Sequence, residues 1–254
     1  MTKEAVVIEI KNLSMKMKDK FILKNVNLKI QRGESVVFIG PSGAGKTVLL
    51  KLISGIYLPI SGEVLINGYN YQLIEDNKKF ELAKTLGMLF QQGALFDRMT
   101  VLENVEFPLK EHYNYPLKKM ESLSRKLLKE VNLLDAQDKL PSELSGGMQR
   151  RLGIARALIL NPSIVFYDDP VAGQDPMQKD QMLSLISDYK KENNSTLLMV
   201  TSTMDTAYRI ADRIFMIIDQ EVIDAGSPED IKLNSDPRIQ QFINGNIDGP
   251  IKSL

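Results

Sequence analysis

Short apolar runs separated by polar turns open the chain. Val6-Val7-Ile8-Glu9-Ile10, Val26-Asn27-Leu28-Lys29-Ile30 and Ser35-Val36-Val37-Phe38-Ile39 read as strands, the last apolar enough to be buried on both faces. Gly62-Glu63-Val64-Leu65-Ile66 reads as another, closing on Asn67-Gly68, a dipeptide that favours a tight hairpin turn. This stretch predicts an antiparallel β piece leading into the strand at 35–39. From about residue 76 to 160 the period lengthens and lysine becomes common. Over 117–134, Leu117, Met120, Leu123, Leu127, Leu128, Val131 and Leu134 fall at helical spacing, predicting a helix whose lysines form a solvated face. After that, strands at 164–167, 196–200 and 213–218 alternate with helices at 176–191 and 204–211. Such alternation predicts a largely parallel sheet. The tail from Gly226 on is rich in Asp, Pro, Gly and Asn, with one short amphipathic segment at 237–243.

The segment Gly40-Pro41-Ser42-Gly43-Ala44-Gly45-Lys46-Thr47 lies between the strand at 35–39 and the apolar helical run 48–53. Gly, four residues, Gly, Lys, Ser or Thr is the pattern of a phosphate-binding loop. Its glycines let backbone N–H groups converge on phosphate oxygens, and the helix N-terminus favours the negative charge. Lys46 is expected to reach the β- and γ-phosphates, and the Thr47 hydroxyl to ligate Mg²⁺. The pattern predicts nucleoside triphosphate binding. A second element of the same chemistry is the apolar strand 164–167 ending in Asp168, whose carboxylate suits the Mg²⁺ hydration shell.

Bulk properties narrow the class. The 254 residues are 43% hydrophobic and 25% charged, enough for one large α/β domain or one domain with a subdomain. Thirty-two basic and 32 acidic residues balance, which argues against a nucleic-acid partner held by bulk positive field. Cysteine is absent, so no disulfide framework or thiol chemistry is available. No apolar run approaches the roughly 18 residues that span a bilayer, and Glu4 and Glu9 break any secretory signal. The expectation is a cytosolic chain, or one held to the cytosolic side of a membrane by a partner.

Leu144-Ser145-Gly146-Gly147-Met148-Gln149-Arg150-Arg151 precedes the helical run 152–160, with Ser145 as its expected cap. Ser-Gly-Gly-x-Gln-Arg, 23 residues ahead of Asp168, resembles the signature motif of ABC-transporter ATPases. Phe90-Gln91 then resembles that family's Q-loop, and Ala172-Gly173-Gln174-Asp175 its D-loop. The resemblance covers nearly the whole chain. It implies an α/β P-loop NTPase of ABC ATPase type. A RecA-like parallel core with an antiparallel β subdomain would fill about 1–90 and 160–225, an inserted helical subdomain about 91–159, and a tail about 226–254. By the same resemblance two copies pack head to tail, each ATP lying between the phosphate loop of one and Ser145, Gly146, Gly147 and Gln149 of the other, while Asp175 crosses to the partner. Gln91 would contact Mg²⁺ and the nucleophilic water. Gly93-Ala94-Leu95-Phe96-Asp97, Ala172-Gly173-Gln174-Asp175-Pro176, and Gln241-Phe242-Ile243-Asn244-Gly245 with Asp248-Gly249-Pro250 look like the ATPase subunit of the Mla/Mce phospholipid transporters of Gram-negative bacteria, the system maintaining outer-membrane lipid asymmetry. That implies a membrane permease, an Mce-domain lipid-binding protein, a small STAS-domain protein, and a peripheral place on the cytoplasmic face of the inner membrane. An importer ATPase for another solute shares the generic motifs. A DNA-repair or translation ABC protein is disfavoured by the single phosphate loop and the offset of only 54 positions from Gln91 to Ser145, too short for a coiled-coil insertion.

Three positions depart from the family. Asp169 stands where the family has a glutamate acting on the attacking water; it is one C–C bond shorter, about 1.5 Å, and a base must come within about 2.6–3.2 Å of its proton. Ser202 stands at the switch histidine, and the only histidine, His112, is expected on the surface of the helical region. Met15 and Met17 stand where an adenine-stacking aromatic is expected, and a thioether packs on a ring less specifically. The cradle is intact, but two groups that drive hydrolysis are altered. The expectation is a slowed chemical step, or a nucleotide-dependent switch that hydrolyses little. The chain ends four residues after Pro250, which puts in doubt the family's longer tail that wraps the partner copy.

Overall fold

A computed structural model of the chain describes residues 5–90 and 95–251. These form two compact units, one from residues up to Asp76 together with those from Thr196 on, the other from Asn77–Ser195.

The first unit begins with a long hairpin of β1 (Val6–Met17) and β2 (Lys20–Gln31). Lys18 and Asp19 turn it with φ of 47° and 63°, the paired positive angles of a tight hairpin turn. Both strands run further than the apolar runs at 6–10 and 26–30 suggest. Backbone pairing continues from Val6↔Gln31 to Met17↔Lys20 through register shifts that carry it past polar residues. Next come β3 (Ser35–Ile39), buried at every position, and α1 (Lys46–Ile53), which buries Leu49, Leu50, Leu52 and Ile53. Then β4 (Ser61–Ile66) turns at Asn67 (φ 51°) and Gly68 (φ 80°) into β5 (Tyr69–Asn70), the hairpin the Asn-Gly pair predicts. The antiparallel sheet is ordered β2-β1-β4-β5.

The second unit holds α2 (Asp76–Lys84), β6 (Leu86–Leu89), α3 (Val101–His112), α4 (Leu117–Glu130), α5 (Gly146–Leu158), β7 (Ile164–Asp168) and α6 (Pro176–Asn193). Strands β6 and β7 run parallel, from Leu86↔Ile164 to Leu89↔Tyr167. Helices α3, α4 and α5 share a core of Val101, Val105, Leu128, Val131, Leu133 and Leu152. The buried stripe of α4 is Met120, Ser124 and Leu128, and Leu117, expected inside, is 74% exposed at the first position of the helix. The lysines of α4 do face solvent, where Arg125–Glu121 and Lys126–Glu130 pair one turn apart.

The chain then returns to the first unit through β8 (Thr196–Val200), α7 (Met204–Ile210), β9 (Arg213–Ile218), β10 (Glu221–Gly226), α8 (Asp230–Leu233) and α9 (Pro237–Asn244). Strands β8 and β9 lie parallel on either side of β3, and β10 returns antiparallel on β9. The mostly half-exposed β10 has no apolar run to announce it. The parallel strands expected at 196–200 and 213–218 fall where the alternation places them.

Candidate nucleotide site

In the first unit β3 ends at Ile39 and the backbone folds into the phosphate-loop segment before α1 begins at Lys46. Gly40 has φ +141°, and a β-carbon there would lie 2.2 Å from the carbonyl oxygen of Ile217 on β9. Gly45 has φ +102°, with the Cγ2 atom of Ile22 2.7 Å from where its β-carbon would be. Neither position accepts a side chain, so the loop is a backbone surface backed by β9 and β2. No side chain caps α1. Its first N–H groups look into the loop made by Pro41, Ser42, Gly43 and Ala44, where a bound anion can take them. Lys46 Nζ donates to the carbonyl oxygens of Gly40 (2.7 Å) and Pro41 (2.8 Å), which holds the ammonium across the loop. Thr47 follows on the first turn of α1. The backbone N–H groups of the loop and the Lys46 ammonium are the chemistry a phosphate chain needs.

The register of β3 with β8 brings a second predicted residue to the same end of the sheet. Phe38 pairs with Val200, so Gly40 and Ser202 each lie two residues past that pair. The N–H of Thr201 donates to the Phe38 carbonyl at 3.2 Å and extends the pairing into the turn. Ser202 is exposed there.

The second unit carries the remaining elements. Ser145 caps α5, its Oγ accepting from the Met148 N–H at 3.3 Å, so Gly146 and Gly147 form the first turn. Gln149 is turned back, its Nε2 donating to the carbonyls of Pro141 (2.9 Å) and Leu144 (3.4 Å). Arg150 donates to the carbonyl of Ala172 and ties α5 to the turn after β7. Asp175 caps α6, accepting from Met177 and Gln178 N–H at 3.0 Å each. The residues around Ser145 line an open cleft of about 830 Å³ with Asp97, Ser142, Gly173 and Gln174. Both amide atoms of Gln174 are occluded and without a hydrogen-bond partner. Sequence reasoning gave Gln174 no role, and only its place between Gly173 and Asp175 marked it.

Asp168 ends β7 and is 3% exposed. Asp169 follows with φ 48°, a left-handed conformation that Asp tolerates better than most side chains. Burial pushes the hydroxyl pKa of Tyr167, behind Asp168, well above the ordinary phenol value, so it stays neutral. Gln91, with Gly93 and Ala94, lies outside the described residues. His112 is half-buried rather than on the surface, its ring 4.5 Å from that of Phe80. The described part of the segment after Gln91 is held by a residue the sequence did not single out. The fully buried Asn104 donates to the carbonyls of Phe96, Met99 and Thr100 and accepts from the Phe96 N–H.

The model of the family described as "ABC transporter" matches residues 23–172, more than half of the chain. The chain belongs to this ABC transporter family. It is an ATPase of that type, and its fold is the family's mixed α/β fold of parallel and antiparallel sheets. It is 40% identical over 246 residues to the intermembrane phospholipid transport system ATP-binding protein MlaF of Haemophilus influenzae, covering 97% of this chain and 93% of the relative. MlaF of Escherichia coli K12 is 36% identical over 245 residues, covering 96% and 91%. Among solved structures, a dimeric ATP-binding cassette in a post-hydrolysis state bound to ADP and Pi superposes with a TM-score of 0.79 at 33% identity, over 85% of this chain and 96% of that one. No described helix is long and apolar enough to cross a membrane.

Proposed function

We propose that this chain is the ATP-binding and ATP-hydrolysing subunit of a transporter that moves phospholipid between inner and outer membranes. The observation that carries this is the 40% identity to a phospholipid-transport ATP-binding protein across 97% of the chain, joined to a phosphate cradle built as that role needs. In this reading the backbone of Gly40–Thr47 holds the phosphates of ATP and Lys46 neutralises the β- and γ-phosphates. Thr47 and Asp168, with Gln91, hold Mg²⁺. Mg²⁺, when bound, offsets the charge that develops on the transferred phosphoryl group.

Two copies close head to tail, and Ser145, Gly146, Gly147 and Gln149 of one face the ATP of the other, with Asp175 at the crossing. Asp169 orients and accepts the proton of the attacking water, and Ser202 meets a γ-phosphate oxygen. The complex includes a membrane permease, an Mce-domain lipid-binding protein and a small STAS-domain protein. It keeps this chain on the cytoplasmic face of the inner membrane. Closure on ATP and reopening after hydrolysis drive the permease.

The shortened Asp169 carboxylate and the neutral Ser202 favour a slow chemical step. They also support a second reading, a switch that closes on ATP and hydrolyses little. Phosphate release by the chain assembled with its permease separates the two. The transport reading expects wild-type turnover and a loss of about 100-fold or more in Asp169→Asn, the size of a missing general base. If wild type stays at the background of Lys46→Ala while still binding ATP, the switch reading replaces it.

A further inference from the structure

The turn from β8 into α7 is built from hydroxyls. Thr201, Ser202 and Thr203 follow β8, and Thr206 lies in the first turn of α7. Thr201 and Thr206 are fully buried, while Ser202 and Thr203 are exposed. Thr203 occupies the cap position of α7 with extended backbone, φ −112° and ψ 127°. A threonine there ordinarily accepts a hydrogen bond from a backbone N–H of the first helical turn. Thr203 makes no such bond. Its Oγ1 instead lies 2.8 Å from Thr206 Oγ1 and 3.3 Å from Thr201 Oγ1, and its own N–H donates to Thr201 Oγ1 at 3.3 Å. Three hydroxyls thus run in a chain from the end of β8 to the first turn of α7. The two ends are buried and Ser202 is bracketed between Thr201 and Thr203. The helix forgoes a cap, and the hydroxyls fix the shape of residues 201–203.

That shape matters because of where Ser202 stands. Thr201 is tied to Phe38, two residues before Gly40, so the turn is referenced to the strand that carries the phosphate loop. A serine hydroxyl oxygen lies only two bonds beyond the backbone Cα. It can meet a phosphate oxygen only if the backbone is held within a few tenths of an ångström, the tolerance such contacts require. We propose that Thr203 is a positioning residue that, through the Thr201–Thr203–Thr206 hydroxyl chain, holds Ser202 toward the terminal phosphate of ATP. Linked hydroxyls polarise one another, so removing the central one loosens both contacts at once. The proposal rests on the ATP-binding reading above.

ATP and ADP affinities with Mg²⁺ test it, measured by calorimetry on the full chain in an Asp169→Asn background so that ATP persists. Thr203→Val keeps the shape and deletes the hydroxyl. The expected result is a fall of about fivefold to tenfold in the ATP-over-ADP affinity ratio, with ADP affinity within about twofold of the parent. Thr203→Ser restores the ratio. Ser202→Ala lowers it equally, and Ser202→Ala with Thr203→Val lowers it no further, because both act on one contact. Thr203→Ala carries the same expectation should the valine variant misfold. An unchanged ratio in Thr203→Val, an equal loss for ATP and ADP, or a loss that adds to that of Ser202→Ala overturns the positioning role and leaves the ATP-binding reading standing. A parent chain that binds neither nucleotide overturns both.

Discussion

Asp169 shows how a single position combines backbone and chemistry. Its φ of 48° is uncommon for a residue with a side chain, and Asp and Asn adopt it more readily than others. Glutamate, the family's residue here, lacks that advantage, while its longer side chain reaches further. The aspartate therefore suits the local backbone at the expense of reach, which is the physical content of the slowed step proposed above. Gly40 is constrained more severely. Its φ of +141° and the Ile217 carbonyl 2.2 Å from a would-be β-carbon leave backbone as the obstacle, which cannot rotate away. Gly40→Ala is expected to separate β3 from β9 locally, abolish ATP binding in calorimetry, and destabilise the chain by roughly 2–4 kcal/mol in urea unfolding. An alanine variant that binds ATP like wild type removes this account of the loop.

Among the elements, α3 and the segment before it depend on one buried amide. Asn104 satisfies four backbone groups of residues 96–100, and Thr100 and Glu103 add a reciprocal cap at the start of the helix. Asn104→Ala leaves those groups to water or to nothing. It is expected to cost roughly 2–4 kcal/mol, read as a lower urea midpoint with an unchanged slope. Faster hydrogen exchange at the Phe96 amide is expected with it. An effect under about 0.5 kcal/mol contradicts the pinning role. The sequence offers no sign of this, because an asparagine inside a helical run looks like a surface residue. Only the fold turns it toward a loop several residues upstream.

The molecule as a whole has one histidine, and its surroundings disfavour the charged imidazole. Burial against Phe80 lowers the His112 pKa, and the Lys84 ammonium lowers it further, against weaker opposing effects of Glu111 and Glu81. A folded-state value below about 6.5 means the unfolded chain takes the proton first. The stability contribution is complete above that pH and is lost as pH falls through the folded-state value. Melting temperature is expected to drop more steeply between about pH 7.5 and 5.5 in wild type than in His112→Gln. Parallel profiles remove His112 as the source.

Much of the local framework of the fold and of the candidate site is legible in the amino-acid sequence. The phosphate loop, the signature turn, Asp168 and the strands at 35–39, 164–168, 196–200 and 213–218 are written in local patterns. Glycine spacing, cap residues and unbroken apolar runs act over a few residues, so the chain states them directly. Other features are decided only by tertiary structure. They include the bulged lengthening of β1 and β2, the edge strand β10, the burial of His112 and Asn104, and the hydroxyl chain around Ser202. Each depends on which distant segment arrives beside it. Thr201, Thr203 and Thr206 are three ordinary polar residues until β8 pairs with β3, and that pairing gives their turn a place beside the phosphate loop.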